Sequence, residues 1–199
     1  MIQLFVNHFR TGIEIRDKEL DEVLMKNCEH PLIGHIYTIG DVISWPHPKI
    51  THLHTSARPN FENIITLISN ISTDEDINII ANLDIYFDET LALVQNIRSD
   101  QCFALTRWDV TDEGLIFTNR GDSQDCWIFR GKPIPMPADF SMGRIGCDNC
   151  FAALIAHSYE LTNPSLSIRA IHLHQSGIRN DDYMSIVHGG YQTISCTEI

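Results

Sequence analysis

Asn82 and Asp84 end a long apolar run in the stretch "IIANLDIYFDETL" (79–91). Near-continuous apolar residues are typical of a central strand that helices cover on both faces. Open α/β sheets bind ligands outside the carboxyl ends of their strands. A carboxylate at such an end suits a hard divalent cation such as Mg²⁺ or Mn²⁺, which takes further oxygen ligands from water and phosphates. Asp84 is therefore the first candidate metal ligand, and the alternative is that it begins a turn.

Two more acids, Asp88 and Glu89, follow in the same stretch. Their place before "TLALVQNI" predicts the start of a helix, with Asp88 as its N-cap and Glu89 in its first turn. The alternative pairs Asp88 with Asp84 in a two-carboxylate metal site.

His172 and His174 stand two residues apart in "IHLH" (171–174). In a strand this spacing puts both side chains on one face, where they could ligate a metal or contact phosphate. The alternative is one packed and one exposed histidine. The same pattern in "THLH" (51–54) has no acidic companion, so the spacing alone does not establish a site.

Between these two motifs the chain places carboxylates close to tryptophans. Acids accept hydrogen bonds from hydroxyl groups and aromatic rings cover apolar C–H faces, so this mixture suits a sugar. Asp148 could instead cap the helix that begins near it. The residues of this group are Trp108, Asp109, Asp122, Asp125, Trp127 and Asp148.

The composition limits the class of ligand. The formal net charge of −12 argues against a nucleic-acid partner, which needs many Lys and Arg contacts to phosphate. An anionic ligand would need a few arginines, a helix N-terminus or a cation held by the chain's own carboxylates. Six cysteines in a chain of this size predict reduced thiols in the cytoplasm. "CDNC" (147–150) lacks the second Cys or His pair that a zinc site needs.

The length of 199 residues predicts a single domain, 1–199. The ending "YQTISCTEI" also fits a domain cut from a longer polypeptide with further domains. No apolar stretch is long enough for a membrane span, and the opening "MIQLFVNHFR" predicts a strand and not a signal peptide.

Strand-like and helix-like stretches alternate and predict an α/β fold with a mixed central sheet flanked by helices. The Pro-rich stretch 131–146 is long enough to be a lid over a site. Helices are predicted at 18–28, at 58–71 with Asn60 as N-cap, at 88–97 and at 147–161. Strands are predicted at 2–7, 33–39, 49–55, 76–84, 102–110, 114–119, 125–130 and 166–174.

Five motifs resemble, in order, those of small glycosyltransferases of the GT-A type. They are "ANLDIYFDETL", "ALTRWDV", "DSQDCWIFRG", "GCDN" and "NPSLSIRAIHLHQSGIR". The resemblance is strongest to the N-terminal domain of a multidomain glycosyltransferase of chlorella viruses. The motifs cover roughly residues 75–180, and the order of the elements extends the resemblance to the rest.

This resemblance implies a GT-A, Rossmann-like fold with a nucleotide-sugar donor and a divalent cation, Mn²⁺ or Mg²⁺, held by a DxD motif. Asn82-Leu83-Asp84 stands at the DxD position, which implies that Asp84 is the direct ligand and Asn82 a ribose or water contact. A late histidine often completes such a site, which implies His174 or, second, His172.

The resemblance also implies where the substrates lie. Asn7, Arg10 and Arg58 match positions that hold the nucleoside and diphosphate, and Arg58 or Arg179 would add charge at the departing diphosphate. Asp148 is implied as the general base of an inverting transfer, or as a residue that orients the acceptor in a retaining one. Sugar contacts are predicted for Asp122, Asp125 and Trp127.

The implied activity moves a hexose or deoxyhexose from a UDP-sugar of the glucose or rhamnose type to a glycan acceptor. The implied setting is viral glycoprotein glycan synthesis in the host cytoplasm. Two alternatives remain: a metal-dependent nucleotidyltransferase or phosphoesterase that uses Asp84 with Asp88, and a non-catalytic module that binds nucleotides or carbohydrates.

Overall fold

The observed helices and strands alternate as the sequence predicts. A computed structural model of the chain describes residues 1–41, 45–178 and 185–199. Its helices are α1 (Glu14–Glu29), α2 (Phe61–Ile71), α3 (Cys147–Ile155) and a 3-10 helix (Glu89–Asn96). Its strands are β1 (Ile2–His8), β2 (Ile33–Gly40), β3 (Ile50–His54), β4 (Ile77–Ala81), β5 (Ile85–Phe87), β6 (Gln101–Leu105), β7 (Arg107–Thr111), β8 (Gly114–Phe117), β9 (Cys126–Arg130), β10 (Glu160–Thr162) and β11 (Ala170–His172).

The strands form two sheets. The central sheet has seven strands in the order β10-β6-β9-β4-β1-β2-β3, and all neighbours are parallel except that β9 runs antiparallel to β4 and β6. The second sheet has four strands in the order β5-β11-β7-β8. The predicted fold class, a mixed α/β sheet flanked by helices, is confirmed.

A separate hydrophobic core covers each face of the central sheet. Along β1 the alternation of side chains sends Leu4 and Val6 to one core and Phe5 to the other. The first core includes α1 and the 3-10 helix, and the second includes α2 and α3. Because both faces are covered, the strand ends are the part of the sheet left for a ligand. Among the described helices, none combines the length and apolarity needed to cross a bilayer.

One predicted strand is shorter in the structure, and another is divided. The strand predicted at 76–84 ends at Ala81, and a turn leads into β5. The strand predicted at 102–110 is interrupted at Thr106, whose backbone N–H donates to Ser165 Oγ at 2.7 Å. Its hydroxyl donates to the Arg120 carbonyl at 2.7 Å. Because these hydrogen bonds replace the ladder bonds, the chain leaves the central sheet at Thr106 and begins the second one.

The predicted helix starts have mixed outcomes. Asn60 caps α2 in a capping box with Asn63, and Asp88 caps the 3-10 helix by accepting from the Thr90 N–H at 3.0 Å. Both cap predictions are confirmed. Asp148 is not the cap of α3, because Gly146 takes that place and Asp148 lies in the first turn. Its side chain accepts a hydrogen bond from the Cys147 thiol at 3.3 Å and does not cap the helix.

The stretch 131–146 packs against the beginning of α2. The first backbone N–H groups of that helix, at Phe61 and Glu62, donate to the carbonyls of Phe140 and Ala138 at 3.1 and 2.9 Å. Met136, Ala138 and Met142 are buried in the second core. The stretch therefore satisfies a helix terminus. Its last residues, 142–146, border cavities, and the lid stays a prediction.

Trp127 lies in the middle of β9 and is only 1% exposed. Its ring packs edge-on against Phe151 of α3, with 4.9 Å between the ring centroids. A ring buried there presents no face to a sugar. The prediction of Trp127 as a sugar contact is therefore wrong, because the alternation along β9 turns it into the core.

Replacing Trp127 by alanine should act on stability and not on ligand binding. We expect Trp127→Ala to lower the free energy of unfolding by about 3–5 kcal/mol, because a large buried ring is lost and a cavity remains. Urea unfolding followed by circular dichroism measures this loss. A Trp127→Ala protein as stable as the wild type would contradict the buried position, and Trp127→Phe should lose less than the alanine variant.

Candidate active site

The direction of β9 gathers the polar residues at one edge of the central sheet. Cys126, the first residue of β9, pairs with Ala81 at the end of β4 and with Leu105 at the end of β6. Because β9 is antiparallel, Asp125 just before it lies beside Asn82 just after β4. Asn82 Nδ2 donates to Asp125 Oδ1 at 2.7 Å.

The second sheet brings the two histidines to this edge. In β11, His172 pairs with Ile85 of β5 and with Asp109 of β7. The Leu173 N–H donates to the Asp84 carbonyl at 3.0 Å. One potential ligand atom from each of Asp84, His172 and His174 lies within 4.8 Å of the others. The structure thus brings together the three residues predicted as metal ligands.

Hydrogen bonds distinguish the two nitrogens of each histidine. His172 Nδ1 lies 2.7 Å from Asp109 Oδ1, and its Nε2 lies 3.2 Å from Asp84 Oδ2. His174 Nε2 donates to the Ile178 carbonyl at 2.7 Å, which leaves Nδ1 as the lone-pair nitrogen of the neutral ring. A carboxylate or carbonyl behind the ring is the usual support of a metal-binding histidine. We therefore infer His172 Nε2 and His174 Nδ1 as the ligand atoms.

Asp84 also contacts a buried arginine. Arg16 Nη2 donates to Asp84 Oδ2 at 2.5 Å. Burial by itself would raise the pKa of Asp84, but the hydrogen bond and charge of His172, together with Arg16, hold it well below the usual range. Asp84 is thus an anion at neutral pH. Within the described part of the chain, its Oδ1 accepts no hydrogen bond, so one oxygen remains available.

The pKa values of the two histidines shift in opposite directions. Burial lowers the pKa of His172, but the hydrogen bond and charge of Asp84 outweigh it and raise the pKa above the ordinary value. Burial and then the charge of Arg16 lower the pKa of His174. His174 is therefore neutral at pH 7, as a metal ligand must be.

The donor set decides which predicted cation fits. One carboxylate and two imidazole nitrogens, with space for water or phosphate oxygens, suit a transition-metal dication such as Mn²⁺. Mg²⁺ prefers oxygen ligands alone. Of the two predicted cations, the residues present therefore fit Mn²⁺ better.

A chain of charges continues from His172 to Asp125. Arg107 Nε lies 2.9 Å from Asp109 Oδ1, and its Nη1 lies 3.6 Å from Asp125 Oδ1. The Thr118 hydroxyl donates to Asp109 Oδ2 at 2.5 Å. Asp109, considered above as a sugar contact, thus supports His172. Arg107 lies between Asp109 and Asp125 and pairs with both carboxylates.

Two clefts open on these residues. The inner cleft has a volume of about 250 Å³, and the outer cleft has about 640 Å³. The predicted site residues that line the inner cleft are Asn7, Arg58, Asn82, Asp84, Asp125, His172 and His174. Those that line the outer cleft are Asn82, Asp122, Asp125 and Asp148.

Two acids of the outer cleft, Asp125 and Asp148, have raised pKa values. Burial raises the pKa of Asp125, with Arg107 opposing it. Burial and then the charge of Asp125 raise the pKa of Asp148 to about 7. Asp125 Oδ2 is buried and has no hydrogen-bond partner among the described residues. Asp148 is therefore the candidate proton acceptor of this cleft.

Arg58 stands between the inner cleft and a third cavity. This edge groove of about 780 Å³ is lined by residues 53–59 with Ile39, Asn63 and Leu67. Within the described part of the chain, Arg58 has no hydrogen bond or ion pair. A Cβ at Gly143, where φ is +75°, would stand 2.8 Å from Arg58 Nη2. The glycine thus leaves room for a guanidinium free to bind an anion.

Three predicted site residues lie elsewhere or have other partners, and a fourth is outside the described residues. Arg10 forms a two-point ion pair with Asp21, at 2.9 and 2.8 Å, and lines neither cleft. Asp122 does line the outer cleft but pairs with Arg120 at 3.0 and 2.9 Å. Trp127 is in the core, and Arg179 lies outside the described residues.

The sequence interpretation missed Arg16 and Arg107. Arg16 lies before the predicted helix at 18–28, and its partner Asp84 is 68 residues away in the chain. Arg107 lies within the predicted strand 102–110, whose break at Thr106 was not foreseen. A lone arginine gives no local signal of burial, and charged residues are rarely buried.

Comparisons with known proteins give a fold likeness only. No model of a protein family and no curated protein matches the chain, so the implied relation to chlorella-virus enzymes stays a prediction. The 2-C-methyl-D-erythritol 4-phosphate cytidylyltransferase (IspD) of Francisella tularensis is similar in structure, with 15% identity and a TM-score of 0.42 over 86% of this chain and 88% of that one. S. aureus TarS 1–349 has 10% identity and a TM-score of 0.48 over 87% of this chain. The chain spans 57% of that TarS structure.

Asp148 should make stability depend on pH. Its pKa is raised from 3.8 to about 7 in the folded protein, so between about pH 4 and pH 7 the unfolded chain loses the proton while the native state keeps it. The wild type should therefore lose stability across this interval relative to Asp148→Asn, with no further change above it. Urea unfolding from pH 4 to pH 8 measures the difference. Asp122→Asn is the control, since the pKa of Asp122 is lowered; a pH-independent difference for Asp148→Asn would contradict the assignment.

Proposed function

We propose that this protein is a cation-dependent glycosyltransferase. It would move a hexose or deoxyhexose from a UDP-sugar, of the glucose or rhamnose type, to a glycan acceptor. The observation that carries the proposal is the trio Asp84, His172 and His174 at the carboxyl edge of the sheet, in an inner cleft that joins an outer cleft containing Asp148. A donor cleft and an acceptor cleft that share a wall are what group transfer requires.

The position of Arg58 supports the inner cleft as the site of the nucleotide-sugar donor. Its guanidinium borders both the inner cleft and the edge groove, so it would bind the diphosphate between a nucleoside on one side and the sugar on the other. Asn7 lines the same cleft, although its Nδ2 already donates to the Ile39 carbonyl at 2.9 Å. Arginine suits this role because its planar fork matches phosphate oxygens.

Asp84, His172 and His174 would hold Mn²⁺ through the atoms inferred above. When bound, the cation supplies Lewis-acid stabilisation of the charge that develops on the departing diphosphate. Arg58, which lines the same cleft, would add to that stabilisation. His172 would bind through Nε2 while its Nδ1–H donates to Asp109, so Asp109 fixes the tautomer and the orientation of the ring.

The acceptor side is supported by Asp148 and Asp125. A pKa of about 7 for Asp148 is close to the value that suits a general base at neutral pH. Asp148 would take the proton of the acceptor hydroxyl in an inverting transfer. Asp125 lines both clefts and would lie beside the bound sugar, with its Oδ1 held by Asn82.

The alternative that pairs Asp84 with Asp88 receives no support from the geometry. Asp88 caps the 3-10 helix, lies 2.7 Å from Arg169 Nε and lines neither cleft. A binding module remains the other alternative, and it requires no turnover of the donor.

The donor site is tested by thermal unfolding with UDP in the presence of Mn²⁺ or EDTA. At a UDP concentration of about 100 Kd the native state gains about 2.7 kcal/mol, which raises the midpoint by roughly 5–10 °C for a chain of this length. We expect this rise with Mn²⁺ and its loss in Asp84→Asn. Asp88→Asn is the matched control and should retain the rise.

Equal protection by UDP in EDTA would contradict the cation-dependent donor site. Release of UDP from a panel of UDP-sugars, with water as the acceptor, separates an enzyme from a binding module. UDP release that Asp148→Asn reduces while UDP binding persists supports transfer, whereas the absence of any release supports the binding module.

Arg58→Gln tests the diphosphate contact. Loss of a hydrogen bond to a charged group costs about 1.5–3 kcal/mol, so we expect UDP affinity to fall roughly 10–100-fold while affinity for uridine changes little. Titration calorimetry with both ligands measures the two values. Arg98→Gln removes a surface arginine elsewhere on the protein and is the control; an unchanged UDP affinity in Arg58→Gln would exclude the contact.

A further inference from the structure

Arg16 is a buried cation in α1, with 4% of its surface exposed. Its guanidinium makes three short contacts. Nη2 donates to Asp84 Oδ2 at 2.5 Å, and Nη1 donates to the Leu173 carbonyl at 2.9 Å and to Glu19 Oε2 at 2.8 Å. One side chain thus holds both a candidate ligand and the residue between the two histidines.

The three candidate ligands belong to two separate chain segments. Asp84 lies in the turn after β4, whereas His172 and His174 lie at and after the end of β11. The backbone hydrogen bond from Leu173 to Asp84 and the fork of Arg16 both join these segments. A planar guanidinium can hold two acceptors at a fixed separation, and an ammonium group cannot.

Glu19 completes the arrangement around Arg16. Its carboxylate accepts from the Ser176 N–H at 2.6 Å and from the Ser176 hydroxyl at 2.8 Å. The segment that follows His174 is therefore fixed to α1 as well. Glu19 also balances the charge of Arg16, so the guanidinium can remain beside Asp84 when a dication is bound.

We propose that Arg16 is a positioning residue that forms the cation site before the cation arrives. It holds Asp84 Oδ2 and so leaves Oδ1 to the cation, and it holds the backbone at Leu173 so that His172 and His174 stay within ligand distance of Asp84. This inference rests on the proposed function, because it concerns the same cation site. It adds that cation affinity depends on a residue that does not itself bind the cation.

The test compares Arg16→Lys with wild type in the whole chain. Free Mn²⁺ is measured by its electron paramagnetic resonance signal in a titration at saturating UDP, and folding is checked by circular dichroism. We expect Mn²⁺ to bind Arg16→Lys at least tenfold more weakly than wild type. Arg98→Lys, at an exposed ion pair, is the matched control and should bind as wild type does.

A second variant keeps the inference testable if Arg16→Lys does not fold. Arg16→Met combined with Glu19→Gln removes the buried charge together with a partner, and this double variant should show the same loss of Mn²⁺ affinity. A folded variant that binds Mn²⁺ within twofold of wild type shows that Arg16 only stabilises the fold. Tighter binding shows that Arg16 competes with the cation. Either result overturns this inference and leaves the proposed function standing. Absence of Mn²⁺ binding by the wild type overturns the cation site itself.

Discussion

The carboxylate of Asp84, held between Arg16 and His172, is the interaction on which the rest of the site depends. A buried charge is tolerated only with partners that compensate it, and removing one partner typically costs about 3–5 kcal/mol. Here His172 in turn contacts Asp109, and Arg107 pairs with both Asp109 and Asp125. The charges therefore tie α1 to both sheets, and they fix the clefts as one unit.

The antiparallel strand β9 explains why this unit spans two clefts. In a wholly parallel sheet, the residue before a strand lies at the edge opposite the carboxyl ends. Because β9 is reversed, its pairing with Ala81 and Leu105 places Asp125 at the carboxyl edge, next to Asn82. The acid that borders both clefts is thus a product of strand direction.

Local patterns were enough to predict the sheet type and the caps at Asn60 and Asp88, because alternation and cap residues are encoded by neighbouring positions. The meeting of Asp84 with a late histidine was implied instead by the resemblance to GT-A glycosyltransferases. Arg16 could not be predicted, because its burial depends on a partner distant in the chain. Trp127 was misassigned because residue type suggested a sugar contact while its position in β9 decided for the core.

Six residues, among them Asn82, Arg107 and Asp125, line both clefts. Under the proposed function, a substitution at any of them would alter donor and acceptor recognition together. Apart from Arg58, the residues of the edge groove line that cavity alone, and residues 186–191 line the outer cleft alone. Under the same proposal, a change of specificity for one substrate alone should therefore begin at these outer residues and leave the shared wall intact.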